Sequence, residues 1–342
     1  MSEQETPKAR PAVRTLSDLA RIAGVSAGTV SRALAGNSLV NTDTRERIVA
    51  LARDHGFRPN KMASSLRRQK TDVIGIAIPL GHDSRQQISD TFFITLLGHL
   101  ADALTERGYD LMLRRVIPER DEDWLDRFIG SGMIDGLLVI GQSDQFDRIE
   151  DAADGYLPMV VWGNHAEGQR HCVVGTDNRL GGRIATERLI AGGARHIYFL
   201  GDTSAVEFAA RYAGAVDAAE RLGVTITPLT SHLSSDRLEA EVAANLDRSF
   251  EPGDAIFAAT DTLAIASLAR LKALGIAVPD QVRIVGFDDL PLAAQTTPPL
   301  TTVRQEIRAG AFAMVDLLIR RISGEDTESI VMPPHLVGRH SG

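Results

Sequence analysis

Charged side chains stand just beyond apolar runs in the second half of this sequence: Arg211 closes "FLGDTSAVEFAAR", Asp261 follows "IFAAT", and Asp288 ends the run in "VGFDD". A guanidinium and a carboxylate with neutral neighbours can fork onto adjacent hydroxyls of a sugar, and such charge-assisted hydrogen bonds are stronger than neutral ones. Trp162, in "VVWGN", could stack on a pyranose face. Blander roles are open for the same residues. Glu207 stands four residues before Arg211, at the spacing of a helical ion pair; Asp261 could cap the helix "TLAIASLARL"; Asp289 could be a turn residue. Asp261 and Asp288 as paired carboxylates would also suit an enzyme acting on a sugar. Against that, the sequence has no GxxxxGK[ST] or HExxH, and no GxGxxG after a strand. The expectation is a protein that is no enzyme and holds no cofactor and no metal.

A second set lies near the amino terminus. "GVSAGTVSRAL", Gly24 to Leu34, puts two glycines, two serines and a threonine beside one arginine inside an apolar repeat. Such residues weaken a helix interior, so the segment is a poor helix or one that needs small residues for close approach. In "TLSDLARIAG", Thr15 reads as N-cap, Asp18 as N3 and Gly24 as the stop, with Leu16, Leu19, Ala20 and Ala23 on one stripe. "VSAGTVSRALAG" repeats the grammar: Ser26 caps, Val30 and Leu34 face inward, Gly36 ends the helix. A third helix follows Asn41 and ends at Gly56. Together these predict a helix-turn-helix over residues 15–59. Its second helix would enter the major groove with Ala27, Gly28 and Thr29 at base edges, Ser26, Thr29 and Ser31 on phosphates, and Arg32 on guanine O6 and N7. Thr15 and Asn37 complete the expected DNA-contacting set. The alternative is a three-helix domain whose serines merely cap.

Charge distribution supports the nucleic-acid reading. The chain carries a net −8, yet residues 1–70 hold 13 Lys or Arg against 6 Asp or Glu, leaving −15 on the remainder. A basic head on an acidic body points to nucleic acid or an anionic membrane. With 342 residues, 44% apolar, there is material for two or three globular domains. The single cysteine, Cys172, excludes an internal disulfide or CxxC site and favours a reducing compartment. "MSEQETPKARPAVRTL" lacks the apolar stretch of a signal peptide, and no run of about eighteen apolar residues occurs, so a soluble, cytoplasmic protein is expected.

The elements that must position these groups follow from the texture of the chain. Residues 1–14 are polar and read as a flexible arm. "RPNKMASSLRRQKTD" is too short for a stable isolated helix and reads as a linker or conditional helix over 60–71. From Asp72 the runs "VIGIAI", "DLMLRRV", "GLLVI", "MVVW", "CVVG", "HIYFLG", "AIFAA" and "RIVGF" alternate with helical patterns. That alternation predicts βαβ units and two doubly wound parallel-sheet lobes, with ligands held at the carboxyl ends of the strands.

"TLSDLARIAGVSAGTVSRAL" with "TRERIVALARDHGFRPNKMASSLR" resembles the head of the lactose-repressor (LacI) family of bacterial transcription regulators. "FLGDTSAVEFAARYAGAVDA", "TDTLAIASLARLKALGIAVPDQVRIVGFDD" and "PPLTTVRQE" resemble that family's periplasmic-binding-protein-like core, so the likeness covers essentially the whole chain after the arm. The resemblance implies operator reading by Ala27, Gly28 and Arg32, although the first two carry no large side chain here. It places a hinge helix on Asn60 to Arg67, with Asn60 and Ser64 at DNA and Leu66 as a minor-groove wedge. It also implies effector contacts by Arg211 and Asp288, with Phe92 and Phe93 where relatives carry contact aromatics; helix core is the alternative for that pair. Asp261 and Trp162 complete the expected effector set, and His82 or Gln86 could add loop contacts. The implied core spans 72–342, lobe one about 72–174 plus 306–332 and lobe two about 175–305 plus 333–342. The implied function is a ligand-responsive repressor of sugar-utilisation genes, a homodimer on a palindromic operator, released by a sugar or glycoside. A purine- or nucleoside-responsive regulator, or a sugar receptor without gene control, is the alternative. No leucine heptads follow "VMPPHLVGRHSG", so a dimer is expected rather than a tail-mediated tetramer.

Overall fold

The computed structural model describes residues 13, 15–57, 70–80, 88–142, 144–233 and 237–342. The expected hinge residues Asn60, Ser64 and Leu66, and His82 and Gln86 before the first large helix, lie outside that set. The chain forms two compact units, residues 1–71 and 72–342.

Among the described residues the first unit has three helices: α1 (Leu16–Ala23), α2 (Ala27–Leu34) and α3 (Thr42–Asp54). Thr15 and Asp18 form a full capping box at the start of α1, and Gly24 ends that helix at φ 68°, a left-handed conformation that glycine adopts without steric cost. The Ser26 hydroxyl accepts from the Thr29 amide to start α2, and the Asn41 side chain accepts from the Asp43 amide to start α3. Leu19, Val30 and Ile48, one from each helix, are fully buried at the centre. The buried stripe is narrower than the apolar pattern: Leu16 and Leu34 are only half-buried, because short helices around a small core leave their flanks in water. Val13, assigned to the arm by its polar neighbours, packs into this core instead.

The second unit contains two six-stranded sheets. The first has the order β11-β5-β4-β3-β1-β2, built from β1 (Val73–Pro79), β2 (Asp110–Val116), β3 (Gly136–Ile140), β4 (Met159–Trp162), β5 (Cys172–Thr176) and β11 (Ile330–Met332), all parallel. The second has the order β12-β10-β9-β8-β6-β7, built from β6 (His196–Leu200), β7 (Thr225–Leu229), β8 (Asp254–Ala258), β9 (Arg283–Asp288), β10 (Thr301–Arg304) and β12 (His335–Val337), with β12 antiparallel. Leaving out the two short tail strands, both sheets have the doubly wound 2-1-3-4-5 order, whose switch point lies between the first and third strands. β1, β3, β4, β8 and β9 are apolar almost throughout, as strands covered on both faces must be.

Among the described residues eight helices cover the sheets: α4 (Thr91–Glu106), α5 (Trp124–Ile129), α6 (Phe146–Ala153), α7 (Asn178–Ala191), α8 (Val206–Leu222), α9 (Leu238–Leu246), α10 (Asp261–Ala273) and α11 (Ile307–Ile322). The chain passes between the lobes after β5, after β10 and between β11 and β12. Helices α7 and α8 pack closely because Gly182 and Gly214 carry no side chain. A Cβ on Gly182 would stand 1.9 Å from the Arg211 carbonyl oxygen, and one on Gly214 would stand 1.8 Å from that of Arg179. This contact fixes the helix that carries Arg211.

Candidate functional site

In the first unit, the amino-terminal turn of α2 faces solvent. Ser26 and Gly28 are exposed, Ala27, Thr29 and Ser31 are half-buried, and the Arg32 side chain is free of the helical core. The Ser26 and Thr29 hydroxyls lie 2.9 Å apart. At Asn37 the side chain accepts from the Leu39 amide and fixes the turn out of α2, while exposed Thr15 caps α1. From the other side, Arg47 donates to the Ala23 carbonyl and locks α3 onto the end of α1, holding the angle at which α2 is presented.

The cleft of the second unit opens where the carboxyl ends of the two sheets meet. It encloses roughly 890 Å³ of atom-free space, part of it open to solvent. Residues at or just past the carboxyl ends of β1, β3, β4, β6, β8 and β9 all reach it, as the switch-point rule requires. Five of the six expected effector residues line it: Phe92, Phe93, Trp162, Arg211 and Asp288 directly face the cleft, whereas Asp261 does not.

The aromatic wall belongs to lobe one. Asp90 caps α4 through the Phe92 amide, which sets Phe92 and Phe93 at the cleft with ring centroids 5.7 Å apart. Phe92 lies 6.0 Å from the Trp162 ring. Trp162 itself is 4% exposed, and its six-membered ring rests on Gly310 of α11, where a Cβ would fall 2.4 Å away. The half-buried phenylalanines therefore offer more surface to a ligand than the tryptophan does.

The charged wall belongs to lobe two. Arg211 is buried on α8, donates from Nε to Asn178 Oδ1 at 2.9 Å and from Nη1 to the Ala259 carbonyl, and stacks 3.7 Å above the Phe287 ring centre. Burial lowers its pKa against the pull of Asp288, Glu207 and Asp261. Asp288 stands 3.9 Å from Nη1, is 2% exposed, and accepts from Gln305 through Oδ1. Its Oδ2 is buried with no hydrogen-bond partner in the protein. Burial pushes this carboxyl up to about 7, more than Arg211 and Gln305 pull it down. The backbone at Asp288 has φ 120°, and at Asp289 φ 55°, conformations that non-glycine residues adopt at a cost. Arg304 and Arg339 both pair with Asp289 and hold that turn.

Asp261 turns away from the cleft. It is the first residue of α10, and Thr260, not Asp261, is the N-cap. Its carboxylate accepts from the Thr302 hydroxyl at 2.6 Å and the Leu290 amide at 2.8 Å, in space that Gly286 leaves free. Burial and the neighbouring Asp288 raise its pKa well above the ordinary value. Its position just after a strand was the same signal that marked Asp288; the difference is that both its oxygens have partners, so its role is to fix the loop carrying Asp288.

Several residues at the cleft carried no clear mark in the sequence. Glu207 lines it with Oε1 buried and unpartnered, rather than closing an ion pair with Arg211. Asp202, His232, Thr260 and Gln305 line it too. Asn178, first residue of α7, is the link to lobe one: its Nδ2 donates to Asn164 Oδ1 at 3.2 Å. The Asn164 amide donates to Gln142 Oε1, so Gln142 Nε2 donates to His171 Nε2 and the imidazole proton sits on Nδ1, toward Glu150. A continuous polar chain thus runs from Glu150 through the lobe junction to Arg211. Gly163 makes room for it, since a Cβ there would stand 2.7 Å from the Gln142 side chain.

Residues 15–60 match the family described as bacterial regulatory proteins, lacI family, and residues 186–342 match the periplasmic binding protein-like domain. The HTH-type transcriptional regulator CelR of Thermobifida fusca is 31% identical over 338 residues, covering 96% of this chain and 98% of that one. The chain belongs to the LacI family of DNA-binding transcriptional regulators. A solved transcriptional regulator CelR–cellobiose complex is 30% identical with a TM-score of 0.69, covering 97% of this chain and 100% of that one. The lac repressor dimer bound to operator and the anti-inducer ONPF shares the fold at a TM-score of 0.82 and 23% identity, covering 96% of this chain and 98% of that one. In this family member, as in the resemblance drawn from its motifs, a helix-turn-helix unit is followed by two parallel-sheet α/β lobes. Among the described residues no helix is long and apolar enough to cross a membrane.

Proposed function

We propose that this regulator is a homodimeric, cytoplasmic repressor that binds a palindromic operator through α2 and the hinge segment, and leaves it when a sugar or glycoside fills the cleft. The observation that carries the effector half is the pairing, across one cleft, of an aromatic wall at Phe92 and Phe93 with the Arg211–Asp288 pair, the arrangement that grips a sugar by ring face and hydroxyl edge. That a similar regulator, CelR, is solved as a complex with cellobiose supports a sugar as effector. On the DNA side, Arg32 is the long donor of the exposed α2 turn and reads a guanine, while Ala27 and Gly28 let the backbone approach the base edges. The domain limits given above for hinge and lobes are part of this reading, while the arm limit gives way to Val13, which packs into the core of the first unit. So is the absence of catalysis: Asp261, needed for a carboxylate pair, faces inward.

Effector and operator binding oppose each other by about 1–3 kcal/mol, roughly 5- to 150-fold, and the coupling is reciprocal. Titrating the effector with and without an operator duplex by calorimetry tests this: operator weakens effector binding by the factor by which effector weakens operator binding. Equal affinities sink the induction scheme, and tighter binding makes the ligand a corepressor. Arg32→Ala lowers operator affinity by about 1–3 kcal/mol and relaxes sequence preference at one base pair. An unchanged preference removes Arg32 from the reading set.

A further inference from the structure

The cleft has a charge as well as a shape, and that charge selects among sugars. Asp90, Asp202, Glu207 and Asp288 all line it, while Arg211 and His232 are the bases among its described lining residues. Both bases are already engaged. Arg211 is held by Asn178, the Ala259 carbonyl and the Phe287 ring, with Asp288 beside it. His232 Nδ1 meets Glu241 at 3.0 Å, and its Nε2 stands 3.7 Å from Asp202. The carboxylates are less completely satisfied. Asp288 Oδ2, on a residue 2% exposed, and Glu207 Oε1 are both buried without a partner in the protein. A carboxylate oxygen only accepts, and leaving it unpaired in a buried site is costly, so both atoms call for a ligand that brings hydrogen-bond donors.

Resting on the sugar reading above, we propose that the effector is an uncharged, unphosphorylated sugar or glycoside that donates one hydroxyl to Asp288 Oδ2 and another to Glu207 Oε1, and that the acidic wall rejects sugar phosphates and sugar acids. Hydroxyls supply the missing donors at no charge cost. A phosphate supplies acceptors where acceptors already crowd, and like-charge juxtaposition in a desolvated site is strongly unfavourable. Glu207 sits one helical turn before Arg211, so its charge opposes the attraction that a buried arginine would otherwise exert on an anion.

The test is a matched panel on the full-length protein: cellobiose, sucrose, maltose, trehalose and glucose, each against its 6-phosphate, with adenine, hypoxanthine and guanosine alongside. Thermal shift finds the binders and calorimetry measures them. The expected result is that at least one neutral sugar binds and its phosphate binds at least about 100-fold more weakly. A phosphate that binds as well as its neutral parent, or better, overturns this inference and leaves the sugar reading standing. If no sugar of either kind binds, the sugar reading itself falls. Glu207→Gln, which keeps the shape and removes the charge, gives a second readout: the phosphate-to-neutral affinity ratio rises at least about tenfold. A ratio that stays the same overturns the role of Glu207 even if the neutral sugar still binds.

Discussion

Lobe one and lobe two rest on sheets of the same doubly wound order, yet Glu150 of the first and Asp288 of the second are buried on different terms. In lobe one, Glu150 accepts from the backbone amides of Arg170 and His171, from Arg170 Nε and from His171 Nδ1. Burial alone would raise its pKa, but these donors outweigh it and hold the carboxyl at about 2. In lobe two, Asp288 has Gln305 and a distant Arg211, keeps one oxygen open, and stands at about 7. A carboxylate whose lone pairs are filled from within is architecture, and one left short of donors at a cleft is a binding group. Fold supplies the position, and the local count of donors decides the use.

The largest expected effect falls on the open side. Arg211→Ala removes the donor to Asn178 and the Ala259 carbonyl and leaves Asp288 and Glu207 without their buried cation. Effector affinity falls at least about 100-fold by calorimetry, and stability falls by about 3–5 kcal/mol, the usual cost of removing one partner of a buried pair. A variant that still responds fully to effector breaks the assignment of lobe two as the gripping wall.

Glu150→Ala strikes the closed side. It orphans two backbone amides and the His171 Nδ1–H, at a cost of about 3 kcal/mol in denaturant unfolding, while effector affinity stays within about threefold. Because the folded pKa is depressed, this stabilisation is fully present above the ordinary value of 4.5 and is lost as pH falls through about 2. A large loss of effector affinity at unchanged stability would instead make the chain from Glu150 to Arg211 a coupling route.

The same distinction governs what the sequence discloses. All eight apolar runs after Asp72 are strands: seven are buried almost throughout, as parallel strands covered on both faces must be, and the eighth, β2, is an edge strand with Leu111 and Leu113 exposed. The four strands without such a run are β7, β10, β11 and β12. β7 is an edge strand interrupted by Pro228, β10 has four residues, and β11 and β12 have three each, too short to show a period. At the cleft, a charged residue just past a strand was a sound signal for position and a poor one for direction. Asp261 and Asp288 both carry it, and only the partners supplied by Thr302 and Leu290, far away in sequence, turn Asp261 inward. Glu207 shows the converse: its helical spacing from Arg211 suggested an ion pair, and only the packed structure reveals the unpartnered oxygen.

Asp288 also makes effector binding depend on pH. A hydroxyl that donates to its carboxylate favours the ionised form, so affinity is full above about pH 7.5 and falls toward tenfold per pH unit below about 7. Stability of the ligand-free protein runs the other way. A folded pKa raised above the ordinary 3.8 contributes stability that is present below 3.8 and lost as pH rises through about 7. Calorimetry at pH 6 and pH 8, in two buffers of different ionisation enthalpy, should find proton release on binding near neutrality. A flat affinity profile would return Asp288 to the architectural class.

The smallest expected effect concerns the contact that joins the two walls. Asp90, the N-cap of α4 in lobe one, accepts from the Thr262 hydroxyl of α10 in lobe two through Oδ2 at 3.3 Å. Burial raises the Asp90 pKa, against the pull of the Phe92 amide and Thr262. Thr262→Val keeps the shape and deletes the donor, a loss worth about 0.5–1.5 kcal/mol for a single hydrogen bond. If effector binds between lobes held as they are in this structure, affinity drops about threefold, and the drop is read by the same titration. If affinity rises instead, Thr262 competes with the effector for Asp90, and lobe one then contributes a carboxylate to the grip as well as its aromatic face. That outcome would narrow the contrast between the lobes to their buried networks alone, and it would predict that Asp90→Asn weakens effector binding more than Thr262→Val strengthens it.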